Sequence, residues 1–196
     1  MRNKTFDPDD VVLGALSAFW QRGFERTNIP ELLDSMGVGR ASFYNAFGSK
    51  RDVFLRILKL YFETVDAHLA GLIANASDSE SAVKSLVDGI LDVARSTESS
   101  TTGWRGCLIG NTALELGADD QEIVDQLRIG VDVLRAQFEK ALSLPSAGGV
   151  KRSRAEIERS ALHLVASVQG LLVLAKSGLS DADIKSTRAA MLATII

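Results

Sequence analysis

One cysteine in 196 residues, Cys107, excludes an internal disulfide and fits a reducing compartment. The two histidines, His68 and His163, are far apart in sequence, and there is no Cys-x-x-Cys, no His-Glu-x-x-His and no phosphate-cradling glycine loop. The common metal and catalytic constellations are therefore missing, and neither a cofactor nor a metal is expected. Three prolines fall at helix starts or in loops, and no run alternates with period two, which leaves no convincing strand. The longest apolar runs, such as Leu171 to Ala175, are too short to cross a bilayer, and MRNKTFDPDD lacks the apolar segment of a signal peptide. A cytoplasmic protein with no membrane partner is the expectation. A generally basic coat is absent too: 22 Lys and Arg face 25 Asp and Glu, a net charge of −3.

What is present is a chain with 46% hydrophobic and 24% charged residues, enough to bury a core in one or two domains. Its charge is unevenly spread. Residues 1–61 hold nine Lys and Arg against seven acids, a net of +2, and the remainder carries −5. Helical spacing dominates throughout. A first helix starts at Asp7-Pro8, with Asp7 as N-cap, carries Val12, Ala15, Leu16 and Phe19 on one side, and ends at Gly23. A long helix over about Lys50 to Asn75 bears Phe54, Ile57, Leu58, Tyr61, Val65, Leu69 and Leu72. Further helices are predicted over Val83 to Ala94, Cys107 to Leu116, Asp119 or Asp120 to Leu142, Ser153 to Ser177 and Asp181 to Ile196. A polar break at Ser77 to Ser81 and loops at Ser96 to Gly106 and Ser143 to Lys151 separate them. The Ser153 to Ser177 helix is apolar on nearly all sides, which calls for burial.

The stretch Thr27 to Lys50, TNIPELLDSMGVGRASFYNAFGSK, carries the most specific information. Asn28 or Thr27 caps a short helix whose opening turn tolerates Pro30, and Leu32, Leu33 and Met36 give it an apolar face. Gly37 stops it, Val38 plugs the corner, and Arg40 to Phe47 resumes helical spacing with Phe43 and Phe47 on one side. This is a helix-turn-helix, whose second helix enters a DNA major groove. Arg40, Ser42, Tyr44 and Asn45 are left as hydrogen-bonding side chains on that helix. Ser49 and Asp52 have capping-box spacing, so Lys50 and Arg51 occupy the first turn of the next helix, a place suited to a phosphate. The plainer alternative is a small helical hairpin with an ordinary solvated face.

Phe19, Gly23-Phe24, Thr27, Leu32-Leu33, Gly37-Val38, Ser42-Phe43-Tyr44 and Phe47-Gly48-Ser49-Lys50 resemble the DNA-binding signature of the TetR (tetracycline-repressor-like) family of transcriptional regulators. The resemblance covers about the first third of the chain. It departs from the family pattern at Gly39, where a capping Ser or Thr is usual, and at Asn45, often His. The resemblance implies an all-α fold: a three-helix DNA-binding domain over 1–49, then a helical effector-binding and dimerisation domain over 50–196. It also implies a homodimer paired through the last two helices, double-stranded operator DNA as partner, and a small-molecule effector. Arg40, Ser42 and Asn45 become candidate base readers, and Thr27, Tyr44 and Lys50 candidate phosphate anchors.

Outside the motif, Cys107 opens a helix after Gly103-Trp104-Arg105-Gly106, where unpaired N–H groups and Arg105 would favour a thiolate. GCLIGNTALEL resembles a branch of the family in which the corresponding cysteine senses electrophiles or oxidants. The other reading of a lone cysteine is a small buried hydrophobe. Cys107, Asn111 and Glu115 fall on one face, and with Trp104 and Phe138 they are the candidate effector-binding residues. The function read from the sequence is a repressor released from a near-palindromic operator by a small molecule or an electrophile. The competing class is a helical binding protein or enzyme whose N-terminal hairpin does not read DNA.

Overall fold

A computed structural model describes residues 8–95, 100–117, 120–149 and 151–194. Their architecture is all-α: α1 Pro8–Arg22, α2 Ile29–Met36, α3 Arg40–Phe47, α4 Lys50–Ala74, α5 Ser79–Ala94, α6 Leu108–Leu116, α7 Gln121–Leu142, α8 Arg154–Lys176 and α9 Asp181–Ala193. Among the described residues the one β interaction is an isolated antiparallel bridge between Arg95 and Trp104. Asp7, the expected first N-cap, and Asp119, Ile195 and Ile196 lie outside the described residues. The chain divides into two compact units, Met1–Tyr61 with Asn111–Gln126, and Phe62–Gly110 with Leu127–Ile196.

The first unit is built on rings. Phe19 meets Phe54 edge-on at 5.0 Å, Phe24 lies 5.0 Å from Phe54, and Trp20 meets Tyr61 edge-on at 5.0 Å. Val12, Ala15, Leu32, Met36, Phe43, Val53, Ile57 and Leu58 complete its buried side. The backbones of α1 and α2 approach so closely that a β-carbon on Gly14 would stand 2.2 Å from the Ser35 carbonyl oxygen. Only glycine fits there.

In the second unit, α5 turns Ala82, Val83, Leu86, Val87, Ile90, Leu91 and Ala94 inward. α8 contributes Ala161, Leu164, Val165, Val168, Leu171, Leu172 and Ala175, and α9 adds Ile184, Met191 and Leu192. The start of α5 differs from the sequence expectation: it lies at Ser79, inside the polar break and ahead of Val83. Asp78 accepts from Ser81 N–H while the Ser81 hydroxyl faces the Asp78 N–H, a capping box that sets the helix start at Ser79. The next residue, Glu80, accepts from the Ser146 hydroxyl and the Ala147 N–H, which ties the α7–α8 loop down and pulls its carboxyl to about 2.

Within the single chain α8 is buried on one side. Leu162, His163, Ala166, Gly170, Val173 and Leu174 lie on a face that this single chain leaves exposed. The short-run argument against a membrane span also gives way in part. By length and composition alone α8 could cross a bilayer, yet its other face is buried in a folded helical unit.

Candidate nucleic-acid interface

Asn28 settles the start of α2. Its Oδ1 accepts from the Glu31 N–H at 3.0 Å and the Glu31 carboxylate returns to the Asn28 N–H, a full capping box. Glu31 also pairs with Arg22, and these contacts, Arg22 first and the Asn28 N–H second, hold its carboxyl below the usual carboxylate range. At the other end Gly37 takes a left-handed conformation (φ 64°), its N–H reaches Asp34 O, and the Val38 N–H reaches Leu33 O. Those bonds satisfy carbonyls the helix leaves open and turn the chain sharply into α3.

α3 is held differently. Gly39, extended at its N-cap, offers no side-chain bond, so the helix relies on Phe43, fully buried, with Phe47 5.9 Å away and half-buried. Anchoring those two rings fixes which side faces out. Arg40, Ala41, Ser42, Tyr44, Asn45 and Ala46 are all exposed. The Tyr44 ring stands edge-on to Phe43 at 5.3 Å, with the Arg40 guanidinium 6.0 Å from its centroid. One short helix therefore presents a guanidinium, two hydroxyls and an amide beside two small methyl side chains, the donor, acceptor and apolar mixture that base edges and phosphates require.

The expected phosphate anchors separate. Tyr44 is on the open side, and Lys50, half-buried, extends over the Phe24 ring with Nζ 4.2 Å from its centroid. Thr27 departs from expectation: it is fully buried and its hydroxyl donates to the Gly23 carbonyl at 2.7 Å, so its side chain closes the α1–α2 turn and is turned away from solvent. Arg51 departs as well. Its Nε and Nη2 donate to the two Asp120 oxygens at 2.9 Å each and its Nη1 lies 2.7 Å from Glu122, which raises its pKa and commits its charge to these two carboxylates.

The sequence gives no sign of that second cluster, because Arg51 and the start of α7 are brought together by the fold alone. The same holds for Glu115. Expected in an effector pocket, it lies in the first unit near the end of α6 and accepts from the Phe24 and Glu25 N–H groups at 2.9 Å each. These are the donors of the turn that follows α1. Gly23, at φ 85°, makes room for the carboxylate: a β-carbon there would be 2.6 Å from Glu115 Oε2.

The remaining candidates fall in both units. Trp104, Cys107 and Phe138 are buried in the second unit, whereas Asn111, half-buried, belongs to the first with Glu115. Arg105 Nε and Nη2 both donate to the Val93 carbonyl at 3.0 and 2.9 Å.

Comparison with known proteins bears on the same helices. The family described as bacterial regulatory proteins, tetR family, matches residues 12–57, which span α2, α3 and most of α1. YezE of Bacillus subtilis (strain 168), an uncharacterized HTH-type transcriptional regulator, is 30% identical over 122 residues, 62% of this chain and 61% of that protein. The chain thus spans less than two thirds of that relative's length. The transcriptional repressor ComR of Escherichia coli (strain K12) is 27% identical over 180 residues, 91% of this chain and 84% of ComR. Among solved structures, a triple cysteine variant of the TetR family regulator CifR, complexed with a 26-bp double-strand operator DNA, superposes with a TM-score of 0.82. It is 22% identical with all of both chains covered, a likeness of fold alone. By sequence in its helix-turn-helix, and by fold along its whole length, the chain is similar to the TetR family of transcriptional regulators.

Proposed function

We propose that the protein is a cytoplasmic homodimeric repressor, not an enzyme, that binds a near-palindromic operator and leaves it when an effector binds. The observation that carries this is the exposed set Arg40, Ser42, Tyr44 and Asn45 on an α3 pinned from behind by Phe43 and Phe47. Arg40, Ser42 and Asn45 read bases, while Tyr44 and Lys50 anchor phosphates. ComR is named a repressor and CifR is described on operator DNA, which supports the same reading here. A dimer has the surface it needs in the apolar outer face of α8, whose small residues Ala166 and Gly170 admit close helix approach. Residues 50–196 would then be the effector-binding and dimerisation part.

Release requires that the effector favour a state in which α3 no longer fits the groove. Glu115 and the Asp120–Glu122 pair give that state a route, since both grip the DNA-binding helices from α6 and the start of α7. The effector is a small molecule in the second unit or an electrophile that alkylates Cys107. The test uses full-length protein and a labelled duplex from upstream of its own gene. Binding should be sequence-selective and fall steeply with salt, and Arg40→Ala or Asn45→Ala should weaken it about tenfold to a hundredfold. Unselective binding, or affinity unchanged in both variants, overturns the reading. Complete alkylation of Cys107 without loss of operator affinity removes the electrophile branch.

A further inference from the structure

The interior of the second unit holds a fully buried side chain that is only half satisfied. Gln137 of α7 has no exposure, and its Nε2 donates to both the side-chain Oδ1 and the main-chain oxygen of Asp66 on α4. Turning the amide over would set its oxygen against two acceptors, so Asp66 fixes its orientation. Gln137 Oε1 then has no donor among the described residues. Gln169 of α8, half-buried as a residue, has the opposite defect: its Nε2 is buried with no acceptor among the described residues. Its Oε1 lies 2.8 Å from where a β-carbon on Gly110 of α6 would stand.

Both groups belong to the helices of the second unit. Gln169 abuts Gly110, whose neighbour Ile109 touches Gly130 of α7, which in turn lies against Phe62 of α4. Gln137 is two turns further along α7, about 10 Å at the helical rise. Buried polar groups in folded proteins are nearly always paired, so an acceptor and a donor left open within one helical unit need partners from outside the chain. The neighbours restrict what those partners are. A hydrocarbon leaves both groups open; a carboxylate sets a second anion beside Asp66; a cation without an acceptor meets the Gln169 N–H with nothing to offer.

We propose that Gln137 and Gln169 are the two polar ends of the effector site, and that the effector is a neutral, elongated molecule. It carries an N–H or O–H donor for Gln137 Oε1 and a carbonyl-type acceptor for Gln169 Nε2. The inference rests on reading the protein as an effector-released regulator, but its binding step is measured without DNA.

Calorimetry with the full-length protein and three matched probes tests it: 4-hydroxyacetanilide, neutral with a donor and an acceptor at opposite ends; 4-acetamidobenzoate, its anionic counterpart; and 4-ethyltoluene, apolar. The wild type should bind 4-hydroxyacetanilide in preference to the other two. Gln137→Leu and Gln169→Leu should each weaken that binding about tenfold; Gln137→Leu also removes the bonds to Asp66 and should lower the melting temperature of the free protein, whereas Gln169→Leu should leave it unchanged or raised. Gln137→Met, closer in shape, covers the case in which leucine disturbs folding. No binding of 4-hydroxyacetanilide, equal binding of the anion or the hydrocarbon, or variants that lower the melting temperature without altering binding would each overturn the proposal. The last outcome assigns the two amides to ordered water. A wild type that binds 4-hydroxyacetanilide but no operator fails the regulator reading alone.

Discussion

The two helices of the helix-turn-helix have eight residues each and are built in opposite ways. α2 carries its own supports: a capping box at Asn28, Glu31 paired with Arg22, and a left-handed Gly37 receiving the exit. α3 has no side-chain cap at Gly39 and one fully buried residue, Phe43. Isolated helices of this length are marginal in water, so each needs help from elsewhere. α2 takes it from hydrogen bonds at its ends, α3 from rings on one side. A helix anchored by one side keeps its other side and its N-terminus open for a partner.

Phe43→Ala should break the contrast most severely, because Phe43 is the one fully buried side chain of α3. A loss of about 3–5 kcal/mol is the scale for a buried phenylalanine, read from denaturant unfolding. A loss below about 1 kcal/mol would mean that α3 has supports of another kind. Glu115→Ala tests the turn feeding α2 by stripping two backbone donors of their acceptor, with about 1–3 kcal/mol expected on the scale for unpaired buried groups and less for the part water can reach. Glu115→Gln should recover part of the loss by keeping one acceptor. Asn28→Ala removes the α2 cap at about 1 kcal/mol. The reverse experiment, Gly39→Ser, places a side chain where a β-carbon meets nothing within 4 Å. It should stabilise α3 by a few tenths of a kcal/mol and strengthen operator binding, and no change in either would show that α3 does not want a cap.

Acidity separates the two helices by the smallest effect. The Glu31 carboxyl is lowered in the folded protein, so its contribution is complete above the ordinary carboxylate pKa and is lost as pH falls from there through the folded value. Amide exchange followed from pH 6 to pH 3 should therefore quicken in α2 before α3, whose N-terminus is capped by no carboxylate. Glu31→Gln should abolish that order.

Much of this was legible in the chain because it is local. The cap at Asn28 or Thr27, Gly37 and the Phe43–Phe47 spacing lie within a few residues of what they act on and marked their elements, while the choice of Asn28 and its pairing with Glu31 came from the structure. Ser77 to Ser81 misled because serine and aspartate serve loops and helix caps equally, and only the Asp78–Ser81 pairing distinguishes them. Thr27 misled because a hydroxyl in a turn has two directions to choose from, and the Gly23 carbonyl took it. Glu115, Arg51 with Asp120, and Gln137 with Asp66 were invisible, since each joins segments whose meeting depends on the whole fold.

Gly23 and Glu115 illustrate what such a meeting imposes. The carboxylate occupies the space in which any side chain at position 23 would begin, and the left-handed backbone there already disfavours one. Neither position is therefore free to vary alone: a side chain at 23 displaces the acid, and the acid cannot reach its two N–H groups past a side chain. Two sites far apart in the chain behave as one unit of inheritance, and a relative that has lost the glycine is expected to hold its first turn to α6 by some other bond.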